Sequence, residues 1–95
     1  MQVEDIAEAL KVLGDSARLL ILKELMRAKQ EKSVGVTDLA KRLKISQPNV
    51  SHHLKVLKTA GFICCKKDQR FSYYTVEKGR IEGLLQQVTT EILAP

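Results

Sequence analysis

Hydrogen-bonding side chains cluster in one short stretch of the 95-residue chain, at Gln47, Asn49, Ser51 and His52. Amide, hydroxyl and imidazole groups can bind the base edges exposed in a DNA groove, and they also bind phosphate oxygens. The N-terminus of a helix adds free backbone N–H groups that favour phosphate. The chemistry that this stretch indicates is therefore recognition of a nucleic acid.

A helix over the same stretch would separate these polar groups from an apolar side. Ser46 is a suitable N-cap, and Pro48 falls in the first turn, where its missing N–H is tolerated. At about 100° per residue, Val50, Leu54 and Leu57 share the side that faces a core. Gln47 and His53 lie at the edges of that side. The outward side holds Pro48, Ser51, His52, Lys55 and Thr59, with Asn49 at its flank.

The excess positive charge is confined to the middle of the chain. Residues 37–74 hold eight basic and two acidic residues, whereas the rest holds eight basic and nine acidic ones, so the net charge of +5 arises in one segment. Lys66, Lys67 and Arg70 occupy the tip of a predicted β-hairpin, where cations can straddle a DNA backbone or enter a minor groove. The alternative is an ordinary solvated turn. The candidate DNA contacts are Lys41, Ser46, Gln47, Asn49, Ser51, His52, Lys55, Lys66, Lys67, Gln69 and Arg70.

Two helices precede this segment. Helical periodicity from Val3 to Leu13 is ended by Gly14, and Asp15 caps a second helix. The apolar arc of the second helix is wide, which indicates a central place in the core; it comprises Leu19, Leu20, Ile21, Leu22, Leu25 and Met26.

Tight connections join the remaining elements. Residues 28–35 form a polar loop, Thr37 caps a short third helix, residues 44–45 form a turn, and Gly61 ends the fourth helix. Alternating residues in FICCKK and RFSYYTV then predict a hairpin that turns at residues 68–69, and a last helix runs from Gly79 to Leu93. The predicted fold is mainly α with a small β-hairpin wing, a winged helix-turn-helix of order ααααββα in one domain over residues 1–95.

The first and last helices lie outside the predicted DNA-reading unit, and each carries an apolar stripe. A chain of this size buries only a modest core, so pairing with a second copy would help its stability. We therefore expect a homodimer, although the stripes could instead pack within their own chain. The predicted dimer contacts are Val3, Ile6, Leu10, Ile81, Leu84, Leu85, Val88 and Ile92.

Other chemistry finds little support in the sequence. No nucleophile–base arrangement, phosphate-binding glycine loop or paired carboxylates are present, so we expect neither an enzyme nor a cofactor. Cys64 and Cys65 are adjacent on a strand, so they point to opposite faces and do not easily hold one tetrahedral ion. One is expected to pack inward and one to face outward beside Lys66 and Lys67, whose charges favour a reactive thiolate. The pair is thus a candidate thiol switch, or simply two small apolar residues.

Three segments resemble the ArsR/SmtB family of bacterial and archaeal transcriptional repressors. They are LKVLGDSARLLILKEL, VTDLAKRLKISQPNVSHHLKVLKTAGFI and YYTV, and together they cover nearly all of the chain. The resemblance implies a homodimer, joined mainly by its first and last helices, that reads a palindromic operator. It also implies repression relieved by an effector, often a metal ion, arsenite or a thiol oxidant.

The metal sites of that family do not carry over to this sequence. Where one family site has a cysteine pair around the start of the third helix, this chain has Gly35 and Thr37. Where another has Asp and His residues on the last helix, the carboxylates here are Glu82 and Glu91, with no histidine. No metal site is therefore predicted.

The sequence as a whole predicts a dimeric repressor that binds double-stranded DNA in the cytoplasm without a membrane anchor. One alternative is a redox or arsenite sensor acting through Cys64 and Cys65. Another is a winged-helix module that binds proteins and not DNA.

Overall fold

A computed structural model of the chain describes residues 2–28 and 34–94, so most of the loop predicted over residues 28–35 lies outside the described residues. Across these residues the element order is ααααββα, as predicted, and a π-helical turn extends the last helix. The mainly helical fold with a small two-stranded wing is confirmed. The elements are α1 (Val3–Leu13), α2 (Ser16–Arg27), α3 (Val36–Leu43), α4 (Gln47–Thr59), β1 (Ile63–Asp68), β2 (Phe71–Val76), α5 (Lys78–Val88) and the π-helical turn Thr89–Leu93.

The core lies where α2 meets α1, α3, α4 and the wing. Two of the six residues of the apolar arc predicted for α2 stay outside the core, because Leu19 and Leu20 remain about half exposed. Helical geometry explains the difference, since both residues lie more than a quarter turn from the buried side of α2. The largest fully buried side chains are Ile21, Leu39, Val50, Leu57, Phe62 and Leu84.

A left-handed residue makes the turn between α3 and α4. Lys44 has φ 56°, and the Ile45 N–H donates to the Ala40 carbonyl at 3.1 Å. The predicted cap of α3 is wrong, because the helix begins earlier than Thr37. The N-cap position is Gly35, and the Asp38 carboxylate accepts a 3.2 Å hydrogen bond from the Gly35 N–H. The carboxylate of the third residue of the helix thus accepts the backbone N–H of the N-cap residue.

The wing turns one residue later than predicted. Asp68 pairs with Phe71 as the last rung of the antiparallel ladder, so the two-residue turn is Gln69–Arg70. Gln69 has φ 57°, a conformation that glycine adopts more readily. The sequence has no glycine here to mark the turn, so its predicted place at residues 68–69 had no strong local signal.

Each terminal helix divides its apolar stripe between the core and solvent. Ile6 and Leu84 are buried within the chain itself, which makes them unavailable to a partner and corrects their assignment to the dimer contacts. Ile81 and Val88 are half-buried against the core. The residues of the predicted dimer set that remain exposed are Val3, Leu10, Leu85 and Ile92.

An ion pair joins α2 to α3 next to the core. The side chain of Glu24 is 10% exposed and lies 3.7 Å from Arg42 and 2.7 Å from Arg27. The hydrogen bond from Arg27 lowers the pKa of the Glu24 carboxyl, with further lowering from the charges of Arg27 and Arg42. The carboxylate therefore stays charged and holds the two helices in register.

Arg18 connects three helices. Its Nε donates to Nδ1 of His53 in α4 at 3.1 Å, and its Nη1 donates to the Val12 carbonyl in α1 at 3.2 Å. Its backbone N–H donates to the Asp15 carboxylate, which caps α2 as predicted and whose pKa this bond lowers. One guanidinium thus fixes the polar edge of α4 against the end of α1.

Within the described residues, every helix is too short or too polar to span a bilayer.

Gly61 ends α4 in a conformation that other residues resist. Its φ is +83°, and the following Phe62 N–H returns to the Leu57 carbonyl at 3.0 Å. We expect Gly61→Ala to lower the free energy of unfolding by about 1 kcal/mol or more. Gly83→Ala is the matched control, because that position lies within α5 with open space around it; it should raise stability by roughly 0.5–1 kcal/mol. Urea unfolding of both variants tests this, and equal effects would contradict it.

We also expect Arg18 and His53 to be energetically coupled. Arg18→Ala should lower the free energy of unfolding by about 1–2 kcal/mol, and Arg18→Lys should rescue little, because an ammonium lacks the planar fork that reaches both acceptors. A double-mutant cycle with His53→Ala, measured by urea unfolding, should give a coupling energy of about 0.5–1.5 kcal/mol. Strictly additive losses would show that this hydrogen bond does not hold α4.

Candidate nucleic-acid interface

One side of α4 is fixed to the core. Val50, Leu54 and Leu57 are at most 2% exposed, as their spacing predicted. Ser46 caps the helix through a 3.3 Å hydrogen bond from the Asn49 N–H, and Pro48 lies in the first turn. The helix therefore cannot rotate about its axis without exposing three apolar side chains.

The opposite side of α4 is free. Gln47, Asn49, Ser51, His52 and Lys55 are all exposed, whereas His53 is half-buried. The helical arc predicted Ser51, His52 and Lys55 on the outward side and Asn49 at its flank, whereas it placed Gln47 at the edge of the apolar side. The side chain of Gln47 donates to Thr37 in α3 at 3.3 Å, which restricts its rotamers while leaving it accessible. This row of exposed polar side chains is accessible to a ligand as large as a DNA duplex.

The predicted cations lie on the elements next to α4, which packs against α3 and β1. Lys41 is exposed near the end of α3, and the wing cations Lys66, Lys67 and Arg70 are exposed, as is Gln69. All eleven candidate DNA contacts are thus at the surface. Positive charge on both sides of a polar helix face can bind phosphates that flank the bases.

Arg18 was missed by the sequence analysis. It lies 35 positions before His53, and the only signal was its place in the first turn of α2, on the same side of the helix as Ile21 and Leu22. It does not belong to the exposed row itself. Its role is to position the helix that carries the row.

A cleft of about 630 Å³ adjoins the exposed face of α4. The acidic side chains Asp5 and Glu8 of α1 form part of one wall, and His52 and Lys55 line another. Two candidate DNA contacts thus border an acidic helix, so the polar face has a defined edge toward α1. The cleft is also lined by Ala9, Val12, Val56, Thr59, Ala60 and Arg80.

The two cysteines have separate surroundings. The Cys64 thiol lies 3.0 Å from the Thr75 hydroxyl, and Cys65 pairs with Tyr74, whose hydroxyl pKa is raised by burial and by Cys65. Strand alternation places them on opposite faces of the wing, and both are half-buried. The packed base of the wing covers both thiols in part. Their use as a switch stays a prediction.

No metal centre is found in the part of the chain that the structure describes, where no three His, Cys, Asp or Glu side chains form a cluster able to hold an ion. Gly35, which stands where one family site has a cysteine, has a tight environment. A Cβ at this position would lie 3.2 Å from the Ser72 carbonyl of the wing. A larger side chain there would press on β2.

Comparison with known proteins agrees with this geometry. The family model described as "Bacterial regulatory protein, arsR family" matches residues 15–64. An HTH-type transcriptional regulator from Methanocaldococcus jannaschii is 35% identical over 90% of this chain and 92% of its own length. The transcriptional repressor PagR from Bacillus anthracis is 33% identical, over 90% of this chain and 83% of that protein.

Solved structures show the same fold. An ArsR-like transcriptional regulator from Rhodococcus superposes with a TM-score of 0.78 at 26% identity, covering 90% of this chain and 76% of that one. A homodimeric winged helix-turn-helix DNA-binding domain from Mycobacterium bovis superposes with a TM-score of 0.69 at 24% identity, over 96% and 83% of the two chains. The matched family consists of transcriptional regulators and not of enzymes. The chain therefore belongs to the ArsR family and carries its winged helix-turn-helix DNA-binding domain.

Proposed function

We propose that the chain is a sequence-specific repressor that binds a palindromic operator as a homodimer. The observation that carries this proposal is the fixed orientation of α4, whose polar row is exposed while its apolar side is locked into the core. A helix presented in this way can lie in a major groove with its N-terminal half against base edges. The site of action is the cytoplasm, where prokaryotic DNA lies.

The candidate contacts divide into two roles. Lys41, Lys66, Lys67 and Arg70 bind phosphates and supply affinity that weakens with salt. The side chains near the start of α4 read base edges, each good contact contributing on the order of 1–3 kcal/mol of discrimination. These are Gln47, Asn49, Ser51 and His52, with Ser46, Lys55 and Gln69 at the margins of the same surface.

The exposed parts of α1 and α5 support the dimer. Val3, Leu10, Leu85 and Ile92 are between 39% and 68% exposed, although their side chains are apolar. Pairing these faces about a twofold axis removes them from water and sets two copies of α4 side by side. The two helices then lie roughly 34 Å apart, one turn of duplex DNA.

An effector would act through that spacing. A ligand that favours a different separation or mobility of the two α4 helices lowers operator affinity by its coupling free energy. The two copies need to fit successive grooves together, so a small change in the dimer is enough to weaken binding.

Salt dependence tests DNA binding. Between about 50 and 200 mM salt, the affinity of the dimer for duplex DNA should fall by roughly 10³–10⁵-fold, since two copies of four cations make about eight phosphate contacts.

Lys67→Ala should weaken binding to all sequences and reduce the slope of log affinity against log salt by about two, one for each subunit. Gln47→Ala should reduce discrimination between selected and random duplexes with the slope unchanged. Binding is measured by fluorescence anisotropy.

The matched control is Lys23→Ala, because Lys23 is exposed on α2 and lies outside the proposed surface. It removes the same charge and should leave both slope and discrimination unchanged. A flat salt response of the wild type would favour a protein-binding module and overturn the proposal. An equal loss in Lys23→Ala would show that the charge acts without regard to position.

A further inference from the structure

The wing ends in an exposed aromatic ring. Phe71, the first residue of β2, is 63% exposed, and every residue from Lys66 to Ser72, here called the wing tip, is at the surface. Burial along β2 increases away from this end, so the ring contributes little to the core. A large apolar side chain occupies a position where folding requires none.

The ladder register places the ring on the side of the wing away from the core. Ile63 and Val76 are paired at the base of the wing, and Ile63 packs into the core. Side chains alternate between faces, so Phe71 lies on the opposite face from Ile63, together with its partner Asp68. Lys66 and Tyr73 form the next rung on the face of Phe71.

Positive charge is concentrated at the end of the wing that carries the ring, with Lys66 on the face of Phe71 and Lys67 on the other face. Lys66, Lys67 and Arg70 all belong to the wing tip, whose single acidic residue is Asp68. An apolar protein surface would have to desolvate these cations to reach the ring, at a cost in free energy. A polyanion that offers flat apolar surfaces between its charges avoids that cost, and stacked base pairs flanked by phosphates have this character.

The dimensions fit a minor groove that has been opened. Because a strand side chain stands roughly perpendicular to the sheet, the ring reaches the base pairs when the wing lays the face of Phe71 and Lys66 over the groove. Two strands about 4.8 Å apart, with their side chains, are too wide for a groove of about 6 Å. An apolar wedge between base pairs kinks a duplex toward the major groove, which widens the minor groove.

We propose that Phe71 inserts its ring between adjacent base pairs from the minor groove and kinks the DNA there, while the cations of the wing tip bind the flanking phosphates. Pyrimidine–purine steps unstack most easily, so the wing reads the deformability of the step and makes no base-specific hydrogen bond. This inference rests on the proposed function as a DNA-binding protein, and it adds a residue that determines specificity outside α4.

The experiment compares bending and affinity in Phe71→Ala and the wild type. The probe is a duplex of about 30 base pairs, recovered by selection from random DNA with the wild-type protein and labelled with a fluorophore at each end. Energy transfer between the ends should rise when the wild type binds, and it should stay near the value of free DNA with Phe71→Ala. Affinity should fall about tenfold, with no change in the salt slope.

Two further variants separate the ring from the charge. Phe71→Leu retains an apolar wedge and should preserve the bend. Lys67→Ala should reduce the salt slope and preserve the bend. Circular dichroism should show native folding for all three variants, because the substituted side chains are exposed.

The outcomes are distinct from those of the DNA-binding test. If the wild type binds with a steep salt response but leaves the duplex straight, or if Phe71→Ala bends it equally, the wedge is refuted while DNA binding stands. If the wild type selects no duplex and shows no salt dependence, both proposals fail. Loss of the preference for pyrimidine–purine steps in Phe71→Ala alone would confirm the reading of deformability.

Discussion

Burial of the apolar side of α4 is the interaction on which the surface depends. Val50, Leu54 and Leu57 are almost completely removed from water, and each is worth roughly 1.5–3 kcal/mol to bury. Their burial fixes the rotation of the helix about its axis and so decides which polar groups reach solvent. A rotation of one residue, about 100°, would bring Leu54 or Val56 to the position of Lys55.

Polar contacts then adjust the position of that helix. Arg18 joins the edge of α4 to the end of α1 through His53, and Glu24 holds α2 to α3. At the other end of α4, the Arg80 Nε donates to the Ala60 carbonyl at 3.2 Å, and its guanidinium lies over the Phe62 ring. The apolar core sets the orientation, and these charged groups connect the helix to the elements that would form the dimer.

Local chemistry in the sequence was enough to predict most of this fold. Three predictions for α4 depend on neighbouring residues alone, and all three were correct. They are the cap at Ser46, the end at Gly61 and the spacing of the apolar residues. The errors arose where contacts between residues far apart in the sequence determine which side chains are buried. Ile6 and Leu84 are taken into the core by packing between α1 and α5, and Arg18 meets His53 only in the folded chain. The turn at Gln69–Arg70 lacked glycine, so a shift of one residue had no local signal.

The most direct test is a nuclear magnetic resonance titration of the isotope-labelled protein with its selected duplex. If the polar row of α4 and the wing tip face DNA, the changes in backbone amide chemical shift should concentrate at residues 46–55 and 66–71. The amides of the buried residues Val50 and Leu54 should shift together with those of their exposed neighbours, and the dispersion of a folded protein should be retained. Shifts confined to the exposed faces of α1 and α5, with α4 unchanged, would contradict the account.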